Sequence, residues 1–182
     1  ELTPDELPHY AKKTQDLYFD YHFEDLSIDG IIPEVVEVSF GVERLMLAIL
    51  EDAYHEEIVD SGLKKTKRTF LKLHPLLAPY FAAIIPLSPR LKEFAYQLYL
   101  NLLPRVQFNL TYEQASSIGK SYRRQDAIGT YYCLTVDFQS RQGQDITLRH
   151  RNTPHEQIRI NITSLAEHLN QEYLNCQQEF FQ

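Results

Sequence analysis

The chain is 182 residues long and weighs 21.4 kDa, room for one domain or for one domain and part of another. With 43% hydrophobic and 24% charged residues it has the composition of a soluble globular protein, which excludes collagen-like, disordered and supercharged chains. The net charge of -7 is unevenly divided: residues 1–60 carry 16 Asp/Glu against 3 Lys/Arg, and residues 61–182 carry 9 against 15. An acidic first third before a basic remainder points to two structural units, the second suited to a polyanion such as nucleic acid or simply solvated. The longest apolar runs, Leu45 to Leu50 and Ala82 to Leu87, are far short of a membrane span. No basic stretch leads into an apolar core at the start, so no signal peptide and no membrane are expected, and the setting expected is cytoplasmic. A start at Glu1 suggests a piece of a longer protein. Cys133 and Cys176 lack the spacing of a disulfide framework or a thiolate metal site.

In chain order, Leu17 to Phe23 has the aromatic content of a strand, and Ile31 to Phe40 follows the Asp29-Gly30 turn signal as a second. The period then becomes helical, with Val42, Leu45, Met46, Ile49 and Ala53 on one face. Asp60-Ser61-Gly62 and the run Lys64 to Arg68 read as linker, which divides the chain into 1–62 and 63–182. Beyond it the pattern predicts a strand over 82–87, a helix over 90–103 opened by Ser88-Pro89, and a strand over 106–110. A helix over 115–128 closed by Gly129, strands over 131–138 and 145–150, and a helix over 162–176 capped by Asn161 complete it. This is an α/β pattern of sheet with packed helices.

The richest chemistry lies at Pro33 to Arg44. On a strand, Glu37 and Ser39 share one face, where a carboxylate and a hydroxyl suit a cationic amine. Gly41 lets a ligand approach the backbone, and Arg44, one helical turn on, is placed to pair with phosphate or stack on a flat ring. The same residues also fit a half-buried strand with a wet face. On the helix over 115–128, Lys120, Arg123 and Arg124 stand at i, i+3 and i+4, a stripe suited to a phosphate backbone or to pairing with Asp126 or Glu113. Arg149, His150 and Arg151 form a second basic cluster. The seven histidines show no HxxxH or HxH spacing, which argues against a metal site, and no GxSxG, P-loop or GxGxxG is present.

The stretch PEVVEVSFGVERLMLAIL, residues 33–50, resembles motif 3 of class II aminoacyl-tRNA synthetases in the form carried by the glycyl-tRNA synthetase family. RTFLKLHPLLAP at 68–79 is similar to that family's lead into its anticodon-binding domain. SIGKSYRRQDAIGTYYCLTVDF at 117–138 is similar to its most distinctive C-terminal stretch, and 145–160 follows its pattern of strand, basic loop and return. The related synthetases for proline, threonine and histidine fit these stretches less well. Two positions depart from the family pattern, Val38 where proline is usual and Glu43 where aspartate is usual.

The resemblance implies a mixed β-sheet with packed helices, the class II anticodon-binding fold, over 63–182. A strand–helix remnant of the antiparallel catalytic domain would precede it. Glu37 and Ser39 would hold glycine, and Gly41 and Arg44 would meet ATP. Lys120, Arg123, Arg124, Tyr131, Arg149 and Arg151 would touch tRNA, with Tyr122 and Tyr131 as stacking surfaces for anticodon bases. The family enzyme activates glycine with ATP and Mg²⁺, transfers it to glycine tRNA, and works as a homodimer. Motifs 1 and 2 are missing from this stretch, so it is expected to be inactive by itself and to bind no cofactor. The alternative is a non-catalytic nucleic-acid-binding relative, such as a polymerase accessory subunit or a regulatory paralogue.

Overall fold

A computed structural model describes residues 39–60, 65–114 and 117–180. The strand expected over 17–23 and residues 31–38 of the one expected over 31–40, Glu37 among them, lie outside the described residues. Ser39 and Phe40, its last two positions, are described and stand outside any strand. The chain divides into two compact units, 1–52 and 53–182. In the first, helix α1 (Val42–Ala53) forms where the 3.6-residue period predicts, with Leu45 N–H donating to the Gly41 carbonyl at 2.9 Å to open it. Val42, Leu45 and Met46 lie largely in solvent.

The second unit begins with a feature whose composition marks it as a linker. Strands β1 (Tyr54–Asp60) and β2 (Lys65–Leu71) pair antiparallel from Tyr54↔Leu71 to Asp60↔Lys65. The like-charge run is one side of a complementary pair, with Glu56 bonded to Lys67 at 2.7 Å and Glu57 to Arg68 at 2.6 Å. Opposite charges across the ladder, and the alternation that turns Arg68 and Phe70 inward, make a strand of what composition alone marks as a linker.

A five-stranded mixed sheet follows, in the order β4-β3-β5-β6-β7. Central β3 (Ala82–Pro86) runs parallel to β4 (Leu110–Tyr112) and to β5 (Tyr132–Val136). β6 (Asp145–His150) and β7 (Gln157–Asn161) are added antiparallel. Every residue of β3 and β5 is buried, as their unbroken apolar runs require of strands covered on both faces. A single 3₁₀ turn capped by Ser88 leads into α2 (Lys92–Leu102), and α3 (Ile118–Ala127) joins β4 to β5. From β3 the chain moves to one neighbour through α2 and then back past β3 through α3, so right-handed crossovers place these helices on opposite faces. The packing agrees. Leu91, Ala95, Leu98 and Leu102 share a core with Leu165, Ala166 and Leu169 of α5 (Ile162–Phe180). Ile118 and Tyr122 of α3 cover Ala83, Ile85 and Cys133 on the other side.

Several expected bounds shift. The strand expected over 106–110 starts only at Leu110, because Gln107 N–H is taken by Asn170 Oδ1 at 3.0 Å and Phe108 turns into the core against Phe81. The strand expected to reach Phe138 stops at Val136. There Asp137 and Ser140 form a capping box that opens the short helix α4 (Phe138–Gly143). The last helix runs four residues further than expected, and Asn161 Oδ1 caps it by accepting from Thr163 N–H at 2.9 Å.

Candidate nucleic-acid interface

The outer face of α3 is built by its own periodicity. Ile118, Ser121, Tyr122, Gln125 and Asp126 turn inward, which leaves Lys120, Arg123 and Arg124 in solvent. Lys120 and Arg123 have no bonded partner among the described residues. Arg124 reaches sideways to Glu113, donating from Nη1 to Oε1 at 2.5 Å. This is one of the pairings the sequence allows. The other does not form, because Asp126 is engaged inside the domain.

Asp126, buried near the end of α3, accepts from two guanidinium groups. Arg68 Nε and Nη2 donate at 2.8 and 2.9 Å, and Arg149 Nη1 and Nη2 at 3.0 and 3.1 Å. Burial works to raise the Asp126 carboxyl, but the bonds from Arg68 and Arg149 prevail and hold it below its ordinary value. Arg68 also donates to Glu57 and to the Arg151 carbonyl. Arg151, almost fully buried, has its Nη1 on the Gly129 carbonyl and its Nη2 on the Leu73 carbonyl, each at 2.7 Å. Lacking a carboxylate, it is pushed down by burial to about 10.

The second basic cluster is therefore an internal clamp. Arg149 and Arg151 have their guanidinium groups committed to Asp126 and to backbone carbonyls, and both side chains are buried. The clamp joins β2, the segment after it, α3 and β6. Sequence offered no pointer to Arg68 as its third arginine beyond the basic run itself. Tyr131 is half-buried, edge-on to His150 at 4.5 Å, and burial pushes its hydroxyl up to about 12. Tyr122 packs its ring beneath the Arg149 guanidinium at 4.6 Å and bonds Thr135 Oγ1 at 2.6 Å. Neither tyrosine presents an open ring face in the way an exposed stacking platform does. The topology instead places exposed Leu87 and Phe138 after β3 and β5, at the carboxyl edge of the parallel strands. Leu87 N–H donates to the Val136 carbonyl at 2.8 Å, which ties the two segments together. Arg90 and Arg141 are exposed in the same connections. Such an edge is where open α/β sheets bind ligands, and composition gave no hint that these residues meet there.

In the first unit, Ser39 and Gly41 are exposed. The stem of Arg44 folds back so that its Cδ lies 3.8 Å from where a Cβ on Gly41 would stand. Among the described residues no group of three or more His, Cys, Asp or Glu is placed to hold a metal, and no helix is long and apolar enough to cross a membrane.

A mixed α/β sheet with a cationic helix on one face and exposed apolar groups at its carboxyl edge has the surface that suits a nucleic acid. Residues 82–172, half of the chain, match the anticodon binding domain family, and the chain belongs to that family. It is 40% identical to a glycine–tRNA ligase of Mycoplasma mycoides over 203 aligned positions, covering 95% of this chain and 43% of the relative. It is 43% identical to the ligase of Alkaliphilus oremlandii, covering 84% and 32%, and 44% identical to that of Geobacillus kaustophilus, covering 82% and 32%. The chain thus spans less than half the length of these curated relatives. The RNA binding domain of threonyl-tRNA synthetase from Cryptosporidium parvum has a similar fold, with a TM-score of 0.50 and 24% identity over 55% of this chain and 25% of that one. The resemblance drawn from residues 33–50 and 117–138 is borne out, as is the mixed sheet with packed helices. The alternative of a non-catalytic relative is not favoured, since these relatives are named as ligases.

Proposed function

We propose that this chain is part of a glycine–tRNA ligase and supplies its hold on the anticodon arm of glycine tRNA. The observation that carries the reading is the outward face of α3 in a domain of the anticodon-binding family: Lys120 and Arg123 stand in solvent with their charges unneutralised. In the same reading the catalytic unit ends near residue 62 and the RNA-binding domain follows it. Of the tRNA contacts expected from the sequence, Lys120, Arg123 and Arg124 carry the role. Arg149 and Arg151 support it from within, and Tyr131 acts from the rim.

The whole ligase would activate glycine with ATP and Mg²⁺ and pass it to its tRNA, as a homodimer in the cytoplasm. Glu37 would accept from the glycine ammonium with Ser39 beside it, and Gly41 and Arg44 would lie along the nucleotide. We place the metal, with ATP, in the whole ligase.

The test is binding of the chain to a glycine tRNA transcript, a non-cognate tRNA and an anticodon-changed glycine tRNA across a salt series. Preferential binding that collapses when the anticodon is changed is expected. Equal and steeply salt-dependent binding to all three would reduce the domain to a basic surface and sink the reading.

A further inference from the structure

Thr130, Gln125, Glu113 and Arg124 form one chain of hydrogen bonds that begins in the interior and ends in solvent. The Thr130 hydroxyl donates to Gln125 Oε1 at 2.7 Å, and Gln125 Nε2 donates to Glu113 Oε2 at 3.0 Å. Arg124 Nη1 then donates to Glu113 Oε1. The first three residues are 1%, 3% and 6% exposed, whereas the Arg124 side chain is 60% exposed. Each link is fixed. The hydroxyl on its oxygen sets which way the Gln125 amide faces, and Thr130 N–H holds the Gln125 carbonyl at 3.0 Å. Glu113 is held from behind by its own N–H on the Ile84 carbonyl at 2.9 Å. A buried carboxylate with one donor on each oxygen has a single orientation, and that orientation sets where the guanidinium stands.

Arg124 commits one of its N–H groups to Glu113. Its Nε and Nη2 meet no acceptor among the described residues, so a planar fork of donors faces solvent in a preset attitude. We propose that Arg124 reads a base of the bound RNA and that Glu113, acting through it, is its positioning residue. The inference rests on the RNA-binding reading above. Charge decides between a base and a phosphate as the target. Paired with Glu113, Arg124 is electrically neutral, so it adds little to the counterion release that drives backbone binding. Its unused donors keep their full capacity toward a base edge with two adjacent acceptors, N7/O6 of guanine or N3/O2 of cytosine. Lys120 and Arg123, with no carboxylate partner, supply the attraction to phosphates.

The test compares the full chain with Arg124→Lys and Glu113→Gln for binding to a glycine tRNA transcript and to its single-base anticodon variants, at several salt concentrations. For the unaltered chain, one anticodon substitution should weaken binding about tenfold, as loss of a bidentate contact does. Whether that position holds guanine or cytosine tells which edge is read. Arg124→Lys should erase most of this preference and leave the salt slope unchanged, because the charge stays paired. Glu113→Gln should erase it too, and by unmasking the Arg124 charge should steepen the slope of log affinity against log salt by about one. The steeper slope reports only the freed charge, so it is loss of the base preference that separates a positioning Glu113 from a merely stabilising one, and exposed Arg124 can be changed without unfolding the domain. Retention of the preference by both variants overturns the inference and leaves the RNA-binding reading standing. Absence of any anticodon preference in the unaltered chain overturns both.

Discussion

Asp126 shows why single residues in this domain carry unequal weight. One carboxylate is shared by Arg68 and Arg149, all three buried, in a setting where Arg149 has it as its carboxylate partner and Arg68 has it together with Glu57. Replacing a member of such a set leaves charges stranded in the interior, which costs more than the set itself contributes. Asp126→Asn should therefore lower stability by roughly 3–5 kcal/mol in urea unfolding at neutral pH. The acid side follows from the same geometry. With its folded value below that of an unfolded aspartate, Asp126 contributes stability that is fully present above about pH 4. That contribution is lost as pH falls through the folded value. Asp137 behaves alike: the Arg159 guanidinium bonded to it holds its carboxyl at about 2. The unaltered chain should lose stability between about pH 4 and pH 2, and the gap between it and Asp126→Asn should narrow over the same range in thermal melts. A gap independent of pH would show that the effect of the substitution is steric rather than ionic.

At the level of elements, boundaries are set by local chemistry that tertiary contacts then tighten. Helix α3 ends because Gly129 adopts φ +79°, the left-handed conformation in which a Cβ is penalised. A methyl there would also stand 3.0 Å from Leu73 Cδ1 and 3.1 Å from the Leu71 carbonyl, against the segment that follows the hairpin. Gly129→Ala should destabilise the domain by more than the roughly 1 kcal/mol of the backbone term alone, as read by the shift in urea midpoint. A shift within that term would mean the Leu71–Leu73 segment moves aside freely. The glycine stop of α3 and the Asn161 cap of α5 were legible in the sequence, because both are signals carried by one or two neighbouring residues. The hairpin was not. Lys65 to Arg68 becomes a strand because acidic Glu56 and Glu57 lie opposite, and pairing between two segments leaves no mark on either segment's own composition.

Across the whole molecule, the charge asymmetry of the chain has a structural counterpart. Of the cations expected to meet RNA, some are neutralised internally and some are not, and only the latter contribute to long-range attraction. Lys120→Gln with Arg123→Gln should reduce the salt slope of tRNA binding by about two and weaken binding to cognate and non-cognate tRNA alike. Titrations at several salt concentrations would check this, and a loss confined to the cognate tRNA would move these residues from the phosphates to the bases. Arg149 and Arg151, equally basic in the sequence, would give no such uniform change, because their charges hold the β2–α3–β6 clamp together.

The strand signals at 82–87 and 131–138, the helical periods of α1, α2, α3 and α5, and the motif stretches at 33–50 and 117–138 sufficed for the class of fold and for the family. Each of these is a property of consecutive residues, governed by periodicity and burial, and needs no knowledge of what lies across the sheet. Which cations face solvent is a different kind of question. Lys120, Arg124 and Arg149 are alike in charge, and each stands near other cations in the sequence. Their fates were settled by a buried Asp126, a buried Glu113 and the turn of α3, residues brought together over separations of 11 to 23 positions between Glu113 and Arg124 and between Asp126 and Arg149. Desolvation makes a buried arginine tolerable only where such acceptors converge, and convergence exists only in the folded chain.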